Sequence, residues 1–378
     1  MSVMSIPSTN NPSVPKVAIM YLVWDQEPYP YMEDVIMGVE AQRYQKDSLE
    51  LLIVYNSYKE GNTSACGYIR EQVEKHKGRL PHVTILEQTE NLGFSGGNNL
   101  GMQWAIDNGY DYVFLHNADA YMGPSCIQEL VDAMEEDTTI GAAQSLVMLH
   151  PETNTINTSG NVLHYLMVGY CDDYKKTKEE VYLPKIKEVG YLSGAAVMMR
   201  TPLLQKYGLW DVDYFMYHED TDYSLRLQMQ GYKTVMVRDS EFFHKYEFKK
   251  SIGKYFWIER NRYVLILLFY KWPTIIFLLP MLFIFEVGLI IFSLRGGWFD
   301  KRVEVYQYFL KKENWKIWLK KREEIQKNRK INDRQLLKNA GTGVYFQEDE
   351  MRNPLLLYVG NPLMWVYYHV VVRLFIWW

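Results

Sequence analysis

Residues 112–119 read Tyr-Val-Phe-Leu-His-Asn-Ala-Asp. The run from Tyr112 to Leu115 fits a strand buried on both faces, and the polar step after it puts the Asp119 carboxylate just past the strand's end. In a parallel sheet covered by helices, ligands collect outside the carboxyl ends of the strands. Asp119 therefore stands where a divalent cation on a diphosphate could be met. The same residue type after a strand also caps turns, so the neighbouring runs have to decide.

Similar runs rich in β-branched and aromatic residues recur at Val17 to Trp24, Leu49 to Tyr55, Val83 to Leu86 and Gly141 to Met148. Between them, apolar residues take helical spacing: Tyr31, Val35 and Val39; Ile69 and Val73; and Ile127, Leu130 and Met134 after Pro124. This alternation predicts a doubly wound α/β domain. A second part, Val189 to about Phe243, adds a strand-like Tyr191 to Met199, an acidic turn at His218 to Asp222, a helix to Gln230 and a strand at Thr234 to Val237.

With 48% hydrophobic and 23% charged residues, the 378-residue chain has the composition of a folded protein. A net charge of -4 argues against a nucleic-acid binder. The basic charge is local, since residues 301–334 hold twelve Lys or Arg against five Asp or Glu. Cys66, Cys126 and Cys171 lie far apart, which supports neither a disulfide framework nor a zinc cluster and fits a reducing, cytoplasmic compartment. Residues 1–15, polar and rich in Ser, Asn and Pro, read as a disordered leader without a signal peptide.

After Glu259 the composition shifts. Pro273 to Leu294 is a 22-residue apolar stretch with Glu286 as its one charge. At 1.5 Å per residue it reaches roughly 33 Å, enough to cross a bilayer core. Pro280 and Glu286 argue against a simple span, because a charge at mid-membrane costs at least about 2.5 kcal/mol, so an in-plane or re-entrant hairpin is an equal expectation. Leu363 to Trp378 suits an interfacial helix with Trp365, Tyr367, Tyr368, Trp377 and Trp378 at headgroup depth. Together with the basic segment, these stretches point to the inner-leaflet membrane surface; a helical subdomain or a homo-oligomer contact is the bland alternative.

Three carboxylates fall within Glu219-Asp220-Thr221-Asp222, just before a helix. Like charges so close raise a carboxylate's pKa, as a base requires, while the helix N-terminus favours the ionised form. Asp222 is assigned to an ion pair with Arg226 at i, i+4, which leaves Asp220 as the candidate base. His244, at the end of the last strand-like run, could ligate the same metal as Asp119, and Lys245, Lys249 and Lys250 beyond it could face phosphate oxygens. The loop Asn91-Leu92-Gly93-Phe94-Ser95-Gly96-Gly97-Asn98-Asn99 opens a helix and lets backbone N–H groups approach a ligand. It is not Gly-x-Gly-x-x-Gly and does not follow the first strand, which counts against a dinucleotide-dependent dehydrogenase.

With these motifs the chain resembles the family 2 inverting glycosyltransferases of the GT-A fold, particularly the rhamnosyltransferase-like branch. The resemblance covers about Val17 to Arg262. It is carried by the Asn91 to Asn99 loop, Asn117-Ala118-Asp119 as a variant of an Asp-x-Asp metal motif, Ser193-Gly194-Ala195-Ala196, His218-Glu219-Asp220, His244 and Arg260-Asn261-Arg262. It implies that Asp119 and His244 hold Mg²⁺ or Mn²⁺, that Asp220 deprotonates the acceptor hydroxyl, and that Glu219, Gly194, Ala195 and Ala196 meet the acceptor. Val23, Trp24 and Asn56 fall where the family meets the nucleotide, with Asn91, Gly93, Asn98 and Asn117 completing that set. Tyr55 departs from the pattern, standing where the family usually has an Asp that contacts the base.

The expected architecture is a Rossmann-like GT-A domain (16–262) with a mostly parallel sheet and flanking helices. An apolar membrane-associated segment (263–300), basic amphipathic helices (301–350) and an interfacial aromatic helix (351–378) follow. The implied partners are a dTDP- or UDP-linked sugar donor and a glycan or lipid-linked glycan acceptor at the cytoplasmic face of the cell membrane, in cell-surface polysaccharide synthesis. A catalytically silent, membrane-anchored sugar-nucleotide or glycan-binding module is the competing class.

Overall fold

The computed structural model describes residues 14–24, 26–56, 64–245, 254–345 and 353–378. The expected leader falls almost wholly outside these residues, although Pro15 is described and its carbonyl accepts a 2.6 Å hydrogen bond from the Tyr44 hydroxyl.

Strands β1 (Val17–Val23), β2 (Leu49–Asn56), β3 (His82–Gln88) and β4 (Tyr112–His116) pair in parallel in the order β3-β2-β1-β4. β1, β2 and β4 are buried almost throughout, which is why they read as continuous apolar runs, whereas the edge strand β3 is half-exposed. Helices α1 (Tyr29–Glu40), α2 (Ser64–Lys75) and α3 (Gly93–Asp107) link them. Parallel alignment brings Val23, Asn56 and the segment after His116 to one sheet edge.

Beyond β4 the sheet departs from the simple parallel expectation. β5 (Ala120–Met122) leads through helix α4 (Cys126–Glu136) to β6 (Ile140–Leu149). An excursion then forms β7 (Ile156–Thr158), the hairpin of β8 (Asn161–Leu163) and β9 (Gly169–Cys171), and β10 (Ile186–Glu188). It returns as β11 (Ala196–Arg200), which enters antiparallel between β4 and β6. β11 is shorter than the Tyr191 to Met199 run because two N–H groups ahead of it are diverted: Ser193 donates to Gln144 Oε1 at 2.9 Å and Gly194 to Asp220 Oδ2 at 3.0 Å. The last strand, β12 (Lys233–His244), is far longer than Thr234 to Val237. It runs parallel to β6 with a register shift between Val237 and Glu241, after which Phe242, Phe243 and His244 also pair antiparallel with Met122, Tyr121 and Ala120 of β5. That irregularity bends the strand end toward Asp119.

Helix α5 (Thr201–Tyr207) packs on the sheet, and α6 (Glu219–Met229) lies between the sheet and a helical unit. The faces of α6 divide: Tyr223 and Leu227 enter the sheet's core, Leu225 and Met229 the helical one. The helical unit contains α7 (Tyr255–Phe269), α8 (Trp272–Gly296), α9 (Phe299–Leu310), α10 (Lys312–Asn328) and a C-terminal helical run, 354–375. α8 is one continuous 25-residue helix, long and apolar enough to cross a membrane, and it passes through Pro280 without breaking. Its charge is not bare: Glu286 is ion-paired with the buried Arg302 of α9 and accepts from the Tyr263 and Tyr306 hydroxyls. A carboxylate so paired is less costly in an apolar setting than an isolated one.

Candidate active site

The ends of β4 and β12 converge. Asp119 Oδ1 stands 3.0 Å from His244 Nε2, and the Asn117 amide donates to Asp119 Oδ1 at 2.6 Å and lies 3.2 Å from His244 Nε2. The other ring nitrogen, Nδ1, lies 3.3 Å from Asn157 Oδ1, a buried side chain at the start of the excursion. An N–H on Nδ1 would leave the Nε2 lone pair on the Asp119 side.

Carboxylate oxygen and imidazole nitrogen are donors that Mg²⁺ or Mn²⁺ accepts. An octahedral site with bonds of about 2.1 Å has edges of about 3.0 Å, which this pair matches. A cation held by this pair would keep positions for diphosphate oxygens and water; no cluster of three or more His, Cys, Asp or Glu occurs among the described residues. Lys245 does not face this space, being ion-paired with Asp34 and set 4.3 Å over the Tyr31 ring. Lys249 and Lys250 lie outside the described residues.

Asp220 sits in the first turn of α6, half-buried. Its Oδ2 accepts from Gly194 N–H and its Oδ1 from the Thr221 N–H at 2.6 Å, so the carboxylate is fixed while keeping spare lone pairs. The next carbonyl after Gly194, that of Ala195, accepts from Asn117 N–H at 2.9 Å. A short bonded path thus joins Asp220 to Asp119 and His244. Space is tight at Gly194, where a Cβ would lie 3.0 Å from the Trp210 ring. Ala196 begins β11 opposite His116.

Burial is the main cause that raises the Asp220 carboxyl above the ordinary range, opposed by its hydrogen bonds to Gly194 and Thr221. The like-charge effect expected from sequence matters more for Glu219, whose carboxyl is raised well up first by burial and then by Asp220. Glu219 is almost fully buried, and its Oε2 has no hydrogen-bond partner among the described residues. Asp222 is paired with Arg226 at 2.7 Å, and Arg226 also donates to the carbonyls of Tyr207, Gly208 and Leu209.

The expected nucleotide set divides. Val23 ends β1 in the core and Trp24, just beyond, is half-exposed. Asn56 is occupied structurally: Oδ1 accepts from Leu92 N–H at 3.0 Å, and Nδ2 donates to Asn91 Oδ1 and the Gly93 carbonyl. Asn91 accepts from Gly93 N–H at 2.9 Å, and Asn98 donates to the Phe94 carbonyl at 2.8 Å. These side chains shape the turn into α3 and take up the Leu92 and Gly93 N–H groups, leaving the first helical turn beyond Gly93 as the anion-facing backbone. Gly93 takes φ +71°, which a side chain would strain against the Phe215 ring. Tyr55 is wholly buried in the core and presents no edge to a base.

Two contributors escaped sequence reading. Asn157 lies in a short polar segment without periodicity. Asn261 was noticed only as part of a motif, yet its amide donates to the backbone just ahead of the acidic turn.

Comparison with known proteins follows the same lines. The model of the family described as glycosyl transferase family group 2 matches residues 112–309, from β4 through α9. The chain is 26% identical over 252 residues to an N-acetylglucosaminyl-diphospho-decaprenol L-rhamnosyltransferase of Mycobacterium tuberculosis, covering 61% of this chain and 75% of that protein. Among solved structures, GalNAc-T7 with UDP, GalNAc and Mn²⁺ superposes with a TM-score of 0.54 at 11% identity, covering 69% of this chain. The chain spans about half of that structure, 49% of its length, and the likeness establishes a shared GT-A fold.

Proposed function

Because this chain belongs to glycosyl transferase family group 2 and is a glycosyltransferase, we infer that it transfers a sugar, with inversion, from a nucleoside diphosphate to a hydroxyl of a lipid-linked glycan. Asp220 is the general base, and Asp119 and His244 are the cation ligands. The observation that carries this is the 3.0 Å approach of Asp119 to His244, joined to Asp220 through Asn117, Ala195 and Gly194.

The two carboxylates answer opposite needs. A departing nucleoside diphosphate gains negative charge, while the attacking hydroxyl must lose a proton. A divalent cation bound by Asp119 and His244 would supply the positive charge that stabilises the leaving diphosphate. Asp220, oriented by the Gly194 and Thr221 N–H groups, takes the acceptor's proton. Its raised pKa brings its basicity nearer to neutral pH. Burial favours the protonated form of Glu219, which keeps a second negative charge away from Asp220. Gly194 and Ala195 meet the site through their backbone, at Asp220 and Asn117, whereas the Ala196 side chain is buried in the core rather than set against an acceptor. The N-terminal turn of α3, beyond the bonded Leu92 and Gly93 N–H groups, is the part that would meet the diphosphate, and Trp24 offers a ring surface for the base.

The relative in Mycobacterium tuberculosis is named for transferring L-rhamnose to N-acetylglucosaminyl-diphospho-decaprenol. A dTDP-linked rhamnose is therefore the first donor to try, ahead of UDP-linked hexoses. A lipid-linked acceptor suits the tail: Phe283 of α8 is 71% exposed and Trp377 69%. α8 and the C-terminal run pack together through Phe277 with Phe375 and through Trp378 Nε1 donating to Thr274 Oγ1 at 2.8 Å. This apolar face beside the basic residues 301–334 suits the cytoplasmic face of the cell membrane, and the chemistry suits cell-surface polysaccharide synthesis.

The test is a screen of dTDP-, UDP- and GDP-sugars against an N-acetylglucosaminyl-diphospho-prenol, with Mg²⁺, Mn²⁺ and chelator arms. Transfer from one donor, abolished by chelator, is expected. Equal transfer in chelator would overturn the cation assignment, and donor binding without any transfer or hydrolysis would favour a silent binding module.

A further inference from the structure

Asn261, on α7, is fully buried, and its Nδ2 donates to three carbonyls of one short segment: Tyr214 at 3.2 Å, Met216 at 2.9 Å and Tyr217 at 2.7 Å. That segment is unusual. Phe215, Tyr217 and His218 all have positive φ, of 63°, 64° and 69°, although none is glycine. Such residues persist only where their surroundings over-determine them, and they concentrate at functional sites. The next two residues are Glu219 and Asp220.

Arg260 strengthens the same grip, donating to the carbonyls of Asp213 and Tyr214 at 3.0 Å each. From the opposite side, Gly194 N–H holds Asp220 Oδ2. The acidic turn is therefore gripped between the sheet and α7. α7 is in turn locked to the apolar helix: Glu259 pairs with Arg262 and Arg302, and Arg302 with Glu286 of α8.

We propose that Asn261 is a positioning residue of the transfer reaction, fixing the strained 215–218 segment so that Asp220 meets the acceptor hydroxyl. The proposal rests on Asp220 being the base. Asn261 touches the turn only through backbone carbonyls, so its loss displaces the base without removing a group that contacts donor. A displacement of about 1 Å at a reacting group can cost on the order of 10²-fold in rate. A buried Asp at this position has at most one O–H to offer, against the two N–H donors of Asn. The helical unit thereby enters catalysis as the mounting of the base as well as a membrane anchor.

The test uses the full chain in anionic vesicles with dTDP-L-rhamnose, or whichever nucleotide sugar the screen identifies, and N-acetylglucosaminyl-diphospho-prenol. Asn261→Asp should lower kcat on the order of 10²-fold, with donor KM and Mn²⁺-dependent dTDP binding at wild-type values, and Asn261→Ser, which keeps one donor, should fall between. Asp220→Asn run in parallel separates the two levels of the account: if it turns over normally, the base assignment is wrong. If Asp220→Asn is inactive while Asn261→Asp keeps wild-type kcat, or loses kcat and donor binding together, the positioning role is overturned. Should Asn261→Asp not fold, Asn261→Ser decides by the same criteria.

Discussion

The Asp119 carboxylate and the His244 imidazole, 125 residues apart in sequence, meet at 3.0 Å. One comes from the end of β4 and the other from the bent end of β12, and β5 ties them together because Ala120 pairs with His244 while Lys245 N–H donates to the Asp119 carbonyl at 2.8 Å. If this pair binds the cation, Asp119→Asn and His244→Ala should each lower turnover by 10²-fold or more, on the order of the several kcal/mol a Lewis acid provides. Steady-state rates across a Mn²⁺ titration check this. A variant at wild-type rate and metal dependence would remove that residue from the site.

Asp220→Asn should lower kcat by about 10² to 10⁴. Burial raises the carboxyl of Asp220, and a base works only when deprotonated. The rate should therefore fall as pH drops, with its midpoint above the usual Asp value of about 3.9. A kcat profile between pH 4 and 9 reads this directly, and a flat acid side would speak against a carboxylate base.

Asp222, two residues away, should behave differently. Its removal leaves the Arg226 guanidinium, which is largely buried, without its counter-charge, at a cost of about 3–5 kcal/mol. Urea unfolding of Asp222→Ala should show that loss, whereas Asp220→Asn should unfold near wild type. Equal destabilisation by the two would erase the division of labour.

Membrane attachment should depend on the exposed faces of α8 and the C-terminal run. Phe283→Asp with Trp377→Asp should weaken co-flotation with anionic vesicles, and raising salt should weaken the wild type further, since each Lys or Arg near the surface contributes on the order of 1 kcal/mol. Flotation unchanged by both would place the membrane contact elsewhere.

Strands β1, β2 and β4 were legible because burial on both faces demands uninterrupted apolar runs, and the place of Asp119 was legible because it follows one. The i, i+4 spacing of Asp222 and Arg226 carried their ion pair. The insertion of β11 between β4 and β6 was not legible, because the residues ahead of it bond to the side chains of Gln144 and Asp220 rather than to a neighbouring strand. Nor was the route of His244, which depends on an irregularity at residues 238–240 that leaves no periodic trace. Family resemblance assigns Asn56 to the nucleotide, and no periodicity announces that its amide bonds Leu92, Asn91 and Gly93. Glu286 looked prohibitive in an apolar helix because its partner, Arg302, comes from a different helix.

The most direct test of the account is calorimetric titration of dTDP and UDP, each with and without Mn²⁺, into wild type, His244→Ala and Asp220→Asn. The account predicts Mn²⁺-dependent nucleotide binding in wild type and in Asp220→Asn, its loss in His244→Ala, and loss of turnover in both variants. Mn²⁺-dependent binding that survives in His244→Ala, or disappears in Asp220→Asn, would contradict it.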